Sequence, residues 1–353
     1  MEAQRQDKLY MQRCIDLAKK AEGNTYPNPM VGSVIVHNGK IIGEGYHRKA
    51  GEPHAEVNAI NAVKDESLLR EATLYVNLEP CAHYGKTPPC SLLIRQKKIP
   101  RVVVGCTDTF SKVAGRGIEM LRSAGVDVTV DVLEAESREL NRRFFTFHEQ
   151  KRPYILLKWA QTRDGYLDID RTVLDEARPT WITDDWARRM VHKWRRTEPS
   201  ILVGTVTALK DNPSLTVRDW SGPNPLRLVL DRFGKLPHTL TLFNGKTPTL
   251  VFSEEGTPVS ENVETVYLTD TENPLLAVLE ELYRRGIQSV MVEGGGILLN
   301  AFTDAGLWDE ARVFIGEKWF VSGVEAPKIR QKPEAWEKFG NSRLFIYRNK
   351  SLY

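Results

Sequence analysis

Pro53-His54-Ala55-Glu56-Val57-Asn58-Ala59-Ile60-Asn61-Ala62-Val63, followed by Pro80-Cys81 and Pro89-Cys90, decides the fold of the first half of this 353-residue chain. After Pro53 the run is apolar at helical intervals, so a helix is expected with His54 and Glu56 in its first turn. Ala72-Thr73-Leu74-Tyr75-Val76-Asn77-Leu78 alternates as a strand does; Glu79-Pro80 ends it, and Cys81 falls at its exit. Pro88-Pro89 then leads into Cys90-Ser91-Leu92-Leu93-Ile94, a second helical pattern. One imidazole and two thiols are thereby expected to converge beside a carboxylate that need not bind metal. A catalytic zinc commonly takes three protein ligands and keeps a fourth position for water. That water ionises with a pKa of about 7, and two helix N-termini aimed at one ion favour thiolate and hydroxide there. Glu56 is then the group that moves protons, and His54, Cys81 and Cys90 are the candidate zinc ligands.

This H-x-E, P-C, C order is that of zinc deaminases acting on nucleobase-like rings. A closed structural site, with His83 as a fourth ligand, is the alternative, and it leaves Glu56 without a task. A Cys81–Cys90 disulfide is disfavoured, since four cysteines in a chain of this length make no disulfide framework. Cys14 and Cys106 lie in an amphipathic helical pattern and an apolar strand, where ordinary core packing is the expectation.

The length suits two domains, expected at 1–150 and 151–353 with the boundary at Lys151-Arg152-Pro153. Apolar residues at 41% and charged residues at 27% fit a globular protein with material for two cores. A formal charge of +3 without a basic run argues against a dedicated nucleic-acid surface. No apolar stretch approaches the roughly 18 residues of a membrane-crossing helix, and the N-terminal residues resemble neither a secretory signal nor a transit peptide. A cytoplasmic enzyme with a small-molecule substrate is expected. In the first half, helices are expected at 7–20, 117–124 and 134–147. A hairpin of 31–36 and 40–45 turns at Asn38-Gly39, and further strands fall at 101–106 and 126–130. This alternation implies a mixed sheet covered by helices on both faces. In the second half, strands are expected at 154–158, 201–204, 226–230, 249–252 and 289–293. Helices are expected at 184–196, with Thr183 as N-cap, and at 273–285.

The first half resembles the deaminase domain of the bifunctional riboflavin biosynthesis deaminase/reductases of bacteria. Most zinc deaminases have two residues between their cysteines; this chain has eight, in Cys81-Ala-His83-Tyr84-Gly85-Lys86-Thr87-Pro-Pro-Cys90. That loop is similar to the one in this family, as are Asn24-Thr-Tyr-Pro27-Asn28-Pro29-Met30-Val31-Gly32, Gly43-Glu-Gly-Tyr46-His47, Ala50-Gly51-Glu-Pro-His54 and Val113-Ala-Gly115-Arg-Gly117. The resemblance implies a cytidine-deaminase-like α/β/α sandwich and a phosphorylated pyrimidine substrate, a diaminopyrimidinone carrying ribosylamino 5′-phosphate, deaminated at its 2-amino group. His83, Lys86 and Thr87 suit a phosphate, with a solvated polar loop as the alternative. Asn28 offers donor and acceptor to a pyrimidine edge.

The second half resembles the same family's reductase domain, with a dihydrofolate-reductase-like α/β fold and NADPH as cofactor. The stretches are Leu157-Lys158-Trp-Ala160, Asp164-Gly165, Trp181-Ile182-Thr183, Gly204-Thr-Val-Thr207, Asp211-Asn-Pro213-Ser-Leu215-Thr-Val-Arg218 and Val292-Glu293-Gly294-Gly295-Gly296. A glycine triplet after a strand lets backbone N–H groups approach a pyrophosphate; alone it is also an ordinary turn. The resemblance implies that Ala160, Trp181, Thr207, Asp211, Gly295, Gly296, Ile297, Leu298, Leu299, Asn300 and Ala301 line the cofactor. Lys158, Arg195, Leu215, Arg218 and Glu293 would face the substrate, the arginines reaching its phosphate. Arg232 could meet the 2′-phosphate of NADPH or form a surface ion pair, and the ion pair is the alternative for Arg195 too. A homo-oligomer, dimer or tetramer, is also implied. The charged stretch from Tyr166 to Thr180, with Pro179, departs from the serine and small residues of many relatives, so it is assigned no substrate contact.

Three other readings compete. A nucleic-acid-editing deaminase is opposed by the cysteine spacing and the missing basic stripe. A zinc-stabilised binding module leaves Glu56 unused. A deaminase with a degenerate second half is favoured only by the charged stretch.

Overall fold

Met11, Cys14, Ile15, Leu17 and Ala18 recur at helical spacing and are all buried, so α1 (Glu2–Lys19) lays one face on the sheet of the first half. It begins five residues before the helix expected at 7–20. The computed structural model describes residues 2–84, 88–109, 115–171, 180–256, 261–268 and 272–350. Two compact units divide the chain, Met1–Lys151 and Arg152–Tyr353.

In the first unit, β1 (Gly32–His37) and β2 (Lys40–Tyr46) form the expected hairpin. Asn38 and Gly39, at φ 48° and 72°, take the left-handed conformation that a two-residue turn requires. Then follow α2 (Ala55–Asn61), β3 (Thr73–Leu78), α3 (Cys90–Gln96), β4 (Arg101–Cys106), α4 (Arg116–Ser123) and β5 (Asp127–Thr129). Strand order is β2-β1-β3-β4-β5, antiparallel up to β3 and parallel beyond it. Ile35, Leu74, Val76, Val102 and Val104 face a core shared with Ile60, Ile94 and Leu121. Val34, Val36, Tyr75 and Val103 face α1 on the other side. Both faces are covered, which is why these strands read as nearly continuous apolar runs.

Gly43 and Gly45 let α2 settle directly on β2. A Cβ on Gly45 would stand 2.4 Å from the Ala59 nitrogen and 2.7 Å from the Ala55 carbonyl oxygen. Both obstacles are backbone and cannot swing aside. Gly45→Ala is therefore expected to destabilise the first unit by about 1–3 kcal/mol, read as a lower urea midpoint for that unit. An unchanged midpoint would show that α2 can retreat without cost.

The single helix expected at 134–147 is two: α5 (Glu134–Leu140) and α6 (Arg142–Gln150). Asn141 makes the break. Its Oδ1 accepts from the Met30 N–H at 2.7 Å and its Nδ2 donates to the Met30 carbonyl at 2.9 Å. These long-range bonds outweigh a locally continuous helical pattern.

The second unit contains β6 (Tyr154–Gln161), β7 (Tyr166–Asp168), α7 (Asp185–Thr197), β8 (Ser200–Gly204), α8 (Thr205–Asp211), β9 (Leu226–Leu230), β10 (Thr249–Ser253) and β11 (Val263–Tyr267). It continues with α9 (Pro274–Arg284), β12 (Ser289–Val292), α10 (Gly296–Asp304), β13 (Glu310–Ile315), β14 (Val324–Glu325), β15 (Ala335–Phe339) and β16 (Ser342–Arg348). Nine strands form one sheet in the order β11-β10-β9-β8-β12-β6-β13-β16-β15; it is parallel through β13 and antiparallel at β16 and β15. β7 and β14 pair separately. Strand residues Ile155, Leu157, Leu202 and Val290 meet Val278, Leu282 and Phe302 of α9 and α10. Leu156, Ile201, Val203 and Met291 meet Ala187, Val191 and Trp194 of α7. Both units are thus α/β, as expected; a mixed sheet was expected for the first, and the second has one too. The N-cap of α7 is Asp184, not Thr183: the Asp184 carboxylate accepts from the Ala187 N–H at 3.0 Å and from the Asn341 N–H at 2.8 Å. No helix among the described residues is long and apolar enough to cross a membrane.

Candidate functional site

His54 is the N-cap of α2, Cys90 opens α3, and Cys81 follows β3 at the carboxyl end of the parallel strands. Their ligand atoms all lie within 4.8 Å of one another. His54 Nδ1 is 3.6 Å from Cys81 Sγ and 3.4 Å from Cys90 Sγ. Zinc bonds of about 2.3 Å to sulfur and 2.0 Å to nitrogen, opened to the tetrahedral angle, would separate such atoms by about 3.6 Å. The donor set fits zinc in chemistry and in spacing. Cys81 is held in place by α3: Ser91 N and Oγ donate to its carbonyl at 3.2 and 2.9 Å, and the Cys90 N–H points at its sulfur at 3.3 Å. Hydrogen bonds from Cys90 and His54 pull the Cys81 thiol down to about 4, and bonding to Cys81 lifts His54 to about 9. Among the described residues this cluster has no fourth protein ligand, and His83 is exposed.

Glu56 lies on the first turn of α2, 3% exposed. Burial pushes its carboxyl up to about 7, a value suited to a group that takes and returns protons near neutrality. Beside it, His47 is buried with its ring edge-on to His54 at 5.4 Å. His47 Nδ1 donates to the Pro53 carbonyl at 3.2 Å, so its Nε2 accepts from the Asn28 amide at 3.1 Å. That leaves the Asn28 oxygen and one N–H for a ligand. Sequence reasoning did not assign a part to His47, although it stands in a quoted motif. Lys86 and Thr87 lie outside the described residues.

The second unit carries a cavity of about 760 Å³ at the carboxyl ends of β6, β8, β9 and β12, where open α/β sheets bind ligands. Of the residues assigned by resemblance, Lys158, Ala160, Thr207, Asp211, Arg232, Glu293, Gly295, Gly296, Ile297, Leu298, Leu299 and Ala301 line it. Trp181, Arg195, Leu215, Arg218 and Asn300 do not. Trp181 is about half exposed beside the lining residues Thr180 and Ile182. Leu215, at φ 54°, is packed in the core. Gly295 sits at φ 63°, its Cα hydrogen facing Thr207 where a Cβ would come 2.7 Å from Oγ1; only glycine turns the chain there into α10.

Arg195 is committed to Glu293. Its Nε and Nη2 donate to the two carboxylate oxygens at 2.8 and 2.7 Å. Lys158 Nζ stands 3.8 Å from the same carboxylate. Burial alone would raise Glu293, but Arg195 and Lys158 hold it down at about 2, while burial lowers Lys158. Arg218 is fixed through its N–H, which donates to His192 Nδ1 at 3.1 Å. Arg232 lines the cavity and also donates to Glu254 at 2.6 Å, so the ion-pair reading and the cavity reading both describe it.

Sheets, metal cluster and cavity define a deaminase unit joined to an α/β reductase unit. Residues 4–106 match the cytidine and deoxycytidylate deaminase zinc-binding region, and residues 153–341 match the RibD C-terminal domain. The chain is 42% identical to the riboflavin biosynthesis protein RibD of Aquifex aeolicus, over 92% of this chain and 94% of that one. A solved diaminohydroxyphosphoribosylaminopyrimidine deaminase/5-amino-6-(5-phosphoribosylamino)uracil reductase of Thermotoga maritima superposes with a TM-score of 0.88 at 38% identity, covering 98% and 99% of the two chains. RibD of Acinetobacter baumannii superposes at 0.85 with 32% identity, covering 97% and 98%. The chain belongs to the RibD family of riboflavin biosynthesis, in which a zinc-dependent deaminase is fused to an NADPH-dependent reductase.

Proposed function

We propose that the first unit, residues 1–150 as read from the sequence, deaminates 2,5-diamino-6-ribosylamino-4(3H)-pyrimidinone 5′-phosphate. Residues 151–353 then reduce the ribosyl group of the uracil product to ribityl. The observation that carries the first half is the His54–Cys81–Cys90 cluster with Glu56 buried beside it. His54, Cys81 and Cys90 would hold zinc, which when bound supplies a nucleophile at neutral pH. Glu56 takes a proton from the attacking water and passes it to the ring nitrogen; it then takes the proton of the new hydroxyl as the carbonyl forms and passes it to the amine, which leaves as ammonia. Asn28, oriented by His47, reads the pyrimidine edge, and His83, Lys86 and Thr87 hold the phosphate.

In the second unit Gly295, Gly296 and the start of α10 would hold the pyrophosphate of the cofactor, and Arg232 would meet its 2′-phosphate. Thr207, Asp211 and Ala160 line its path; Trp181 and Asn300 flank it. NADPH supplies the hydride. Lys158, which lines the cavity 3.8 Å from Glu293 and has a lowered affinity for its proton, is the proton donor of the reduction. Glu293 faces the sugar, and Arg218 with Leu215 borders the substrate. Arg195 acts through Glu293 rather than by reaching the phosphate, since its Nε and Nη2 donate to that carboxylate and its Nη1 to the Thr216 carbonyl. We read the protein as cytoplasmic, as acting on a small molecule rather than nucleic acid, and as a dimer or tetramer; the small net charge supports the second point.

Cys81→Ser tests the deaminase half. Zinc content and ammonia release should both fall to near background, while NADPH oxidation with the deaminated substrate persists. A variant that keeps its zinc and its ammonia release would remove Cys81 from the site.

A further inference from the structure

Arg171, in the charged stretch that the family pattern left without a role, turns into the wall of the cavity and is only 7% exposed at its side chain. Its Nη2 lies 2.7 Å from Asp168 Oδ2, 3.1 Å from Asp211 Oδ1, and donates to Thr180 Oγ1 at 3.1 Å. Its Nη1 donates to the Lys210 carbonyl in the last turn of α8 at 3.1 Å, where a cation complements the helix dipole. Asp168, Thr180, Lys210 and Asp211 all line the cavity with it. The pairing with Asp211 lacks hydrogen-bond geometry, so the buried Oδ1 keeps its acceptor capacity unused. Burial raises the Asp211 carboxyl, and the charge of Arg171 opposes that rise. The next layer is close: a Cβ on Gly296, where α10 begins, would stand 3.3 Å from Val324 of β14 and 3.4 Å from Leu167 of β7.

Without Arg171 this wall would turn two carboxylates toward a dinucleotide that carries several negative charges. We propose that Arg171 is a cofactor-positioning residue: it neutralises Asp168 and Asp211 and staples the β7 wall to the end of α8. The cavity can then accept an anionic dinucleotide whatever its 2′ group. This rests on the reading of the cavity as the NADPH site. The effect is one of charge in a partly closed space, where attraction and repulsion are less screened than at an open surface.

The test is equilibrium binding of NADPH and of NADH to the zinc-loaded full chain, followed by nucleotide fluorescence. Arg171→Ala should weaken both nucleotides about tenfold and by the same factor. Arg171→Lys should lie between that variant and the wild type. Arg171→Ala combined with Asp168→Asn should regain most of the loss, which a merely structural role would not produce. Should Arg171→Ala fail to fold, Arg171→Gln, which can still bond the Lys210 carbonyl and Thr180, carries the same test. Unchanged or tighter binding by a folded variant overturns the proposal, as does a loss confined to NADPH, which would make Arg171 a reader of the 2′-phosphate. A wild type that binds neither nucleotide overturns the cofactor reading of the cavity, and this proposal with it.

Discussion

Glu56→Gln should lower ammonia release at least about a thousandfold while leaving zinc content and the reductase unchanged. Positioned proton transfer is worth about 10² to 10⁴ in rate, and here one carboxylate serves both the attack and the departure of the amine. Glutamine keeps the size and polarity of the side chain, so α2 keeps its packing on β2. Glu56 is buried on the first turn of α2, which His54 caps, and burial pushes it up to about 7, so proton transfer is its natural task. The two activities make the measurement self-controlled. With the diamino substrate the variant should not oxidise NADPH; with the deaminated intermediate it should do so at the wild-type rate. Residual ammonia release within tenfold of wild type would remove Glu56 from the chemistry and revive the reading of a structural zinc site.

Arg195→Ala should be the most damaging change in the second unit. It strands Glu293, whose side chain is 7% exposed, with Lys158 at 3.8 Å as its remaining ion-pair partner. Breaking a buried pair from one side costs about 3–5 kcal/mol, so urea unfolding of this unit should shift by that amount and reduction should be lost. Replacing both residues, Arg195→Met with Glu293→Met, should restore most of the stability and none of the reduction. If the double variant is as unstable as the single one, packing rather than charge holds this region together. The pair also sets an acid limit. Glu293 is depressed to about 2 in the fold against an ordinary value near 4.5. Its contribution, on the order of 3 kcal/mol, is fully present above about pH 5 and disappears as the pH falls toward 2. Glu293→Gln should flatten the acid unfolding profile of the second unit in that window.

The elements that were legible share a feature: their evidence is local. The period of residues 55–63, the Asn38-Gly39 turn and the apolar runs of β3, β4, β8 and β9 each stand within a short window, and both faces of each sheet are covered so that the runs are strong. The antiparallel pair β15 and β16 was not among the expected strands, although it turns at Gly340, φ 52°, beside Asn341. β15 is almost wholly exposed and carries Trp336 outward, so it lacks the buried alternation that marks a strand. α8 is too short to show a period, and the break at Asn141 is made by Met30, more than a hundred residues away in sequence.

The sequence by itself determined the metal cluster, because ligand identity and the helix starts at Pro53 and Pro89 leave His54, Cys81 and Cys90 few other places to go. It also determined the alternating α/β layering, which follows from periodicity alone. Only the tertiary structure decided which charges are spent on each other. Arg195 is taken by Glu293 across 98 positions, His47 orients Asn28, and Arg171 neutralises the acids of the cavity wall. Charged side chains carry no period and reach far, and their partners are chosen by burial. What they do is therefore settled only when the sheet has brought distant strands to one edge.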